Sequence, residues 1–266
     1  MTFDSFSSAW SVMIWATFAL AIVMGAVVNK TNFCTMGAVS DWVNMGDKGR
    51  LRAWFFAIAV ALLGVTALEY LGVLNADLAF PPYRGGTLVW AENILGGFLF
   101  GIGMTYGSGC GNKTLIRVGA GNIKSIMVFL LIAVIAYYMT NPLPGSDQTL
   151  MSVLFLDWIR PLAITLEGGS QDLGTLLAGS ENAADARLWI GIVLGVLVRA
   201  FVFNSADFRS SLDTILGGLV VGLVVVAAWF VTADIKLGYE SDFDGEVKVS
   251  MREYLDPTTS QWDMSE

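Results

Sequence analysis

Apolar residues in this chain do not alternate with polar ones; they run together in blocks long enough to cross a bilayer. A helix needs about 20 such residues to bridge the roughly 30 Å hydrocarbon layer. Blocks at residues 10–28, 52–72, 92–108, 124–140, 187–203 and 212–232 qualify, which predicts about six membrane-spanning helices. The third, "NILGGFLFGIGMTYG", separates Gly97 from Gly101 and Gly103 from Gly107 by the small-xxx-small spacing that lets helices approach closely in lipid, so it is expected inside the bundle. The first block starts near Ala9 behind Asp4, with no lysine or arginine before it and no cleavage-ready end, and reads as a permanent helix, not a signal peptide.

Two shorter stretches follow spanning blocks with no clear polar turn: "CTMGAVSDWV", from Cys34 to about Val43, and "CGNKTLIRV", from Cys110 to about Val118. Neither can span. Each begins at a cysteine just after residues that loosen a helix, Asn29 to Asn32 in one case and Gly107 to Gly109 in the other. They read as half-helices that re-enter the protein or as ordinary cytoplasmic loops, and periodicity alone does not choose. Spacing favours the first reading: Gly25 precedes Cys34 by nine residues and Gly101 precedes Cys110 by nine. "ILGGFLFG" from Ile94 is also echoed by "ILGGLVVG" from Ile215. Transporters often build a midplane site from paired broken helices in this way.

Lysine and arginine set the orientation. Lys48, Arg50, Arg52, Arg117, Lys124 and Arg209 all fall in loops on one side, which is therefore cytoplasmic. Both termini are then expected outside. The resulting division is 1–140 with both cysteine motifs, 141–186 as an outer segment, 187–233 with two further membrane helices and 234–266 as an acidic outer tail. Within the outer segment, Thr149 to Leu166 is expected as an interfacial amphipathic helix with Trp158 as its anchor, followed by loop.

Composition sharpens the picture. Of 266 residues, 55% are hydrophobic and 14% charged, far from the soluble average of about 25% charged. A net charge of −8 excludes nucleic acid as a partner. With no histidine, the usual general base, proton shuttle and most zinc sites are missing, so no catalytic group, metal site or cofactor is assigned. Two cysteines allow no CxxC motif, although one bridge between them stays open. "YGSGCGNKTLIR" is not a phosphate-binding P-loop either, because Asn112 separates Gly111 from Lys113 and a membrane-length block precedes it.

Half-helix N-termini offer unpaired backbone N–H groups and about half a positive charge, which suits an anion. A thiol adds a weak, polarizable donor and a soft acceptor, matched to terminal sulfur better than to phosphate. A small sulfur-containing anion is the expected substrate, and the candidate pathway residues are Asn32, Cys34, Gly109, Cys110, Gly111 and Lys113. The plainer alternative is that both cysteines are packing residues. Lys30, Lys113 and Arg117 could draw the anion or snorkel to headgroups, and Glu69 and Glu92 are expected at outer interfaces.

"NFCTMGAVSDW" at 32–42, "GGFLFGIGMTYGSGCGNKTLIRVGAGNIKS" at 96–125 and "ILGGLVVGLVVVAAWFVTA" at 215–233 resemble the YeeE/YedE family of sulfur-compound transporters, and the likeness covers essentially the whole chain. It implies an all-α bundle with re-entrant helices, thiosulfate passed between cysteine thiols, location in a bacterial inner membrane and a cytosolic sulfur-carrier protein as partner. Such transporters have a third cysteine in a later glycine-rich motif, whereas this chain closes with "EYLDPTTSQWDMSE". A further C-terminal part or a second protomer is the expected source of the third motif. The competing reading is a membrane thiol sulfurtransferase or oxidoreductase that uses Cys110.

Overall fold

The computed structural model describes residues 1–79, 85–107, 109–166, 170–179, 181–241 and 245–250. Eleven helices occur among them: α1 Phe6–Thr31, α2 Thr35–Met45, α3 Gly49–Tyr70, α4 Trp90–Tyr106, α5 Gly111–Gly119, α6 Ile123–Thr140, α7 Asp157–Ile159, α8 Leu173–Ala178, α9 Ala183–Phe203, α10 Ala206–Ser210 and α11 Leu212–Asp234. Five segments, led by α1, α3, α6, α9 and α11, hold helices long and apolar enough to cross a membrane. The third predicted span is α4, whose 17 residues stand at the lower limit for crossing. This is a multi-pass, helical membrane protein. Side chains such as Trp15, Phe18 and Leu131, all more than half exposed, cover the outer faces of these helices with the apolar surface that lipid requires.

The chain forms two compact units. The first comprises Met1–Phe33, Arg52–Gly85 and Ser170–Glu266; the second comprises Cys34–Leu51 and Gly86–Gly169. In the first unit α1 packs along α11, and a glycine seam joins α11 to α3. A methyl carbon placed on Gly218 would lie 2.7 Å from the Ala53 carbonyl oxygen, and one on Gly222 would lie 2.8 Å from that of Ala57. Backbone meets backbone there. Ala53, Phe56, Val202 and Phe208 form a buried cluster beside the seam, with Phe56, Phe203 and Phe208 in edge-to-face contact.

A charged lock closes one end of the first unit. Asp172 caps α8 by accepting from the Thr175 N–H at 3.0 Å, and also accepts from Ser170 Oγ, Thr175 Oγ1, and Nε and Nη2 of Arg187 at 2.6–2.9 Å. Arg187 Nη1 reaches Asp77 at 3.3 Å. Burial pushes the Asp172 carboxyl up, but the hydrogen bonds from Arg187, Thr175 and Ser170 outweigh it and hold the group well below the usual carboxylate range.

Several expectations are revised. The helix predicted inside the bundle, α4, has no buried residue, and nothing lies within 4 Å of a methyl carbon built on Gly97, Gly101 or Gly103. Small residues permit close approach without compelling it, so the spacing alone could not place this helix. The segment from Thr149 is not one amphipathic helix: a π-turn at Ser152–Leu156 leads into α7, Pro161 helps end the run as a 3₁₀ turn at Arg160–Leu162, and β3 (Ile164–Thr165) then pairs antiparallel with β2 (Thr87–Leu88). Trp158 is exposed as expected, and its indole N–H donates to the Leu154 carbonyl. The loop expected next contains α8. The tail after Asp234 opens as an antiparallel hairpin of β4 (Lys236–Ser241) and β5 (Gly245–Ser250), with β1 (Thr2–Phe3) parallel to β4. The Met1 ammonium bonds to Asp234 at 2.9 Å, so the N-terminus and the start of the tail share one end. The sequence from 251 onward lies outside the described residues.

Candidate functional site

Both cysteines stand at helix N-termini. After α1 the chain turns at Asn32, whose φ of 51° is the only positive value at a non-glycine among the described residues and whose N–H returns to the Val28 carbonyl. That turn ends α1 and leaves Cys34 extended (φ −157°, ψ 129°) as the N-cap of α2. The buried Cys34 Sγ accepts from the Gly37 N–H at 3.4 Å, satisfying one of the otherwise orphaned donors of the first turn. At the other end of α2, Gly46 takes the left-handed conformation at φ 72°, and its N–H returns to the Asp41 and Trp42 carbonyls.

Cys110 is the N-cap of α5 and differs in one respect. Its side chain makes no capping bond. Among the described residues, no side chain accepts from the backbone N–H groups of Gly111, Asn112 or Lys113, so the positive end of α5 is uncapped. The buried Thr114 secures the turn instead, its N–H and Oγ1 both donating to the Cys110 carbonyl at 3.0 and 3.2 Å. Gly109 precedes at φ 153°, a region reserved for glycine, and a methyl carbon there would lie 3.1–3.3 Å from the stem of Lys113, which folds back over it. The glycine therefore leaves room for the lysine stem beside the cap.

The structure brings Gly109, Cys110, Gly111 and Lys113 together around one helix end, and places Asn32 just before Cys34 in the turn between α1 and α2. Both cysteine-headed helices belong to the second unit. Both thiols are free, which closes the question of a bridge between them. Lys30 and Arg117 each occupy the last turn of a helix, α1 and α5, where a cation complements the negative end. Among the described residues, four cavities are lined by side chains other than the two cysteines. One, of about 500 Å³, lies beside the lock and includes Glu69 and Asp77. Another, of about 270 Å³, is apolar except for Glu92, whose buried Oε1 lacks a partner among the described residues.

The sulphur-transport family model matches residues 30–263, a stretch that takes in both cysteine-headed helices. The chain belongs to the sulphur-transport family. The thiosulfate transporter TsuA of Escherichia coli K12 is 30% identical over 139 residues, which cover 52% of this chain and 38% of the relative. The thiosulfate transporter TsuA of Spirochaeta thermophila is 27% identical over 109 residues, covering 41% of this chain and 31% of the relative. The alignments thus span well under half the length of each relative. No solved structure matches the chain.

Sequence reasoning missed three residues of this sulphur-transport chain. Asp41 is buried in α2, and its Oδ2 lies 3.0 Å from Nε of Arg50. A methyl carbon on Gly37 would lie 2.7 Å from Arg50 Nη1 and 3.8 Å from Cys34 Sγ. The signal was present in the sequence: the one charged residue of a short helix, a carboxylate seven positions beyond its cysteine cap, needs a nearby cation once buried.

Proposed function

We propose that this chain is a permease for a small sulfur-containing anion, thiosulfate foremost, in a bacterial inner membrane, with both termini on the outer side. The observation that carries the proposal is the paired placement of Cys34 and Cys110 as N-caps of two short helices, each directly behind a long apolar one. Moving an anion through hydrocarbon exposes it to a desolvation cost of many kcal/mol. A helix N-terminus replaces part of the lost hydration with oriented N–H groups and does not trap the ion as a full counter-charge would. At Cys110 those donors are uncapped, and Lys113 stands beside them.

The thiol supplies selectivity. Its S–H donates weakly to the terminal sulfur of thiosulfate, and its soft lone pairs tolerate a large polarizable neighbour. In this reading α2 and α5 re-enter the membrane as an internal repeat, and the anion passes from one cysteine to the other. A cytosolic sulfur-carrier protein receives the cargo.

Uptake tests this directly. Cells lacking other routes of sulfur import are expected to grow on thiosulfate when they carry this chain, and Cys110→Ala is expected to abolish that growth. Unimpaired growth of the variant rejects the thiol pathway. A mass gain of one sulfur atom on Cys110 after thiosulfate exposure would mark group transfer in place of passage.

A further inference from the structure

Arg50 would ordinarily be counted among the cytoplasmic cations that fix topology. Its side chain does something more specific. It extends from the first turn of α3 to α2, where Asp41 takes its Nε edge at 3.0 Å. Asp41 is buried and the Arg50 side chain is 38% exposed, so the pair is partly desolvated and its orientation is fixed at one edge only. The planar guanidinium presents five donors in a rigid fork. With Nε turned toward Asp41, Nη1 lies over Gly37, and among the described residues no hydrogen bond occupies it. Gly37 also donates its N–H to Cys34 Sγ. The thiol and a guanidinium edge therefore flank one glycine, whose own N–H points to the thiol.

We propose that Arg50, oriented by Asp41 and admitted by the absent side chain of Gly37, is the cation that draws the anion to the Cys34 cap. The inference rests on the transport reading above and adds a positioning role that reading does not contain. Each part has a physical reason. Without Asp41 the long arginine side chain would sample many rotamers and lose its aim. With alanine at position 37 the added methyl carbon would lie 2.7 Å from Nη1, and the end of the arginine side chain would have to shift away from the cap. Lysine at 50 could keep the charge but could not bond to Asp41 and present a second edge at once. The arrangement parallels Cys110, where a glycine likewise admits a cation, Lys113, beside the cap.

The test is uptake of radiolabelled thiosulfate into proteoliposomes containing the full chain, with each variant first checked for monodisperse elution in detergent. Arg50→Gln is expected to raise KM about tenfold, as loss of a nearby charge at intermediate dielectric would, while the maximal rate stays within about twofold. Arg50→Lys should give an intermediate KM. Gly37→Ala should raise KM like Arg50→Gln, and the double variant should be no worse than either single one, because both remove the same interaction. A KM for Arg50→Gln within about twofold of the parent overturns the inference and leaves the transport reading standing. Additive Gly37→Ala and Arg50→Gln effects, or a fall in maximal rate alone in Arg50→Gln and Arg50→Lys alike, also overturn it. Should Arg50→Gln fail to fold, Gly37→Ala carries the test, and an unchanged KM there overturns the inference equally. Absence of saturable uptake by the parent chain overturns both readings together.

Discussion

The two units bury different things. In the first, most of the interior is apolar, with Ala53, Phe56, Val202 and Phe208 beside the glycine seam and Ala9, Met13, Ile235 and Leu237 around the start of α1, and buried polar side chains such as Thr66, Ser170 and Thr175 are a minority. In the second, the buried side chains among the described residues are Cys34, Ala38, Asp41, Thr114, Ser125 and Ile159, so polar atoms make up much of what is hidden. The same contrast appears in two pieces of sequence that share their glycine spacing. "ILGGLVVG" in α11 presses Gly218 and Gly222 against carbonyls of α3, whereas "ILGGFLFG" in α4 leaves Gly96, Gly97 and Gly101 with no neighbour within 4 Å of a methyl carbon. A glycine pattern announces that a helix can be approached closely. Only the fold determines whether anything approaches it.

The seam is where that contrast breaks most easily. Gly222→Val should destabilise the chain by roughly 3 kcal/mol, because even its Cβ would meet the Ala57 carbonyl oxygen at 2.8 Å and Val60 Cβ at 2.7 Å and the helices must separate. Denaturant unfolding in detergent measures it, and a stability equal to the parent would mean that α11 and α3 are not in contact there.

The lock comes next. Asp172→Asn should cost about 2 kcal/mol, since Arg187 is left facing a neutral amide while both side chains remain mostly buried. The pH profile gives the sign. Because the folded-state pKa of Asp172 is depressed, its contribution is complete above the unfolded value of about 4 and is lost as pH falls from there toward the folded value. Parent and variant should therefore converge in stability in strong acid and differ by a constant amount between about pH 5 and 8. A difference that grows steadily across neutral pH would assign the effect to another group.

The smallest effect sharpens the comparison from the other side. Gly101→Ala in α4 should stabilise by up to about 1 kcal/mol, the helix-propensity gain at a position with open space around it. Destabilisation by that one methyl would show that α4 does receive a close partner in the membrane, and would restore to its glycines the role their spacing suggests.

Much of this organisation was legible beforehand. Long apolar runs fixed the spanning helices to within a few residues, and the helix-loosening residues before Cys34 and Cys110 marked where α2 and α5 begin. The burial of α4 was not legible, because lipid and a neighbouring helix are equally apolar and leave the same imprint on sequence. The hairpin after Asp234 was obscured by reading the tail for its charge and not for its strand pattern. The role of Arg50 was obscured for a similar reason: a cation near a membrane edge already has an explanation in topology, so nothing in one dimension demands a second. Its partner Asp41 was the stronger clue, since a buried carboxylate requires company.

The packing of α1 against α11 carries a consequence for biosynthesis. These two helices lie at opposite ends of the described chain, with the whole second unit translated between them. At about 5–20 residues per second, α1 waits on the order of ten seconds for α11. During that interval its partner-facing side is shielded only by lipid or by the insertion machinery, and a ribosome stalled before α11 would release a product recognisable to membrane proteases by that uncovered flank.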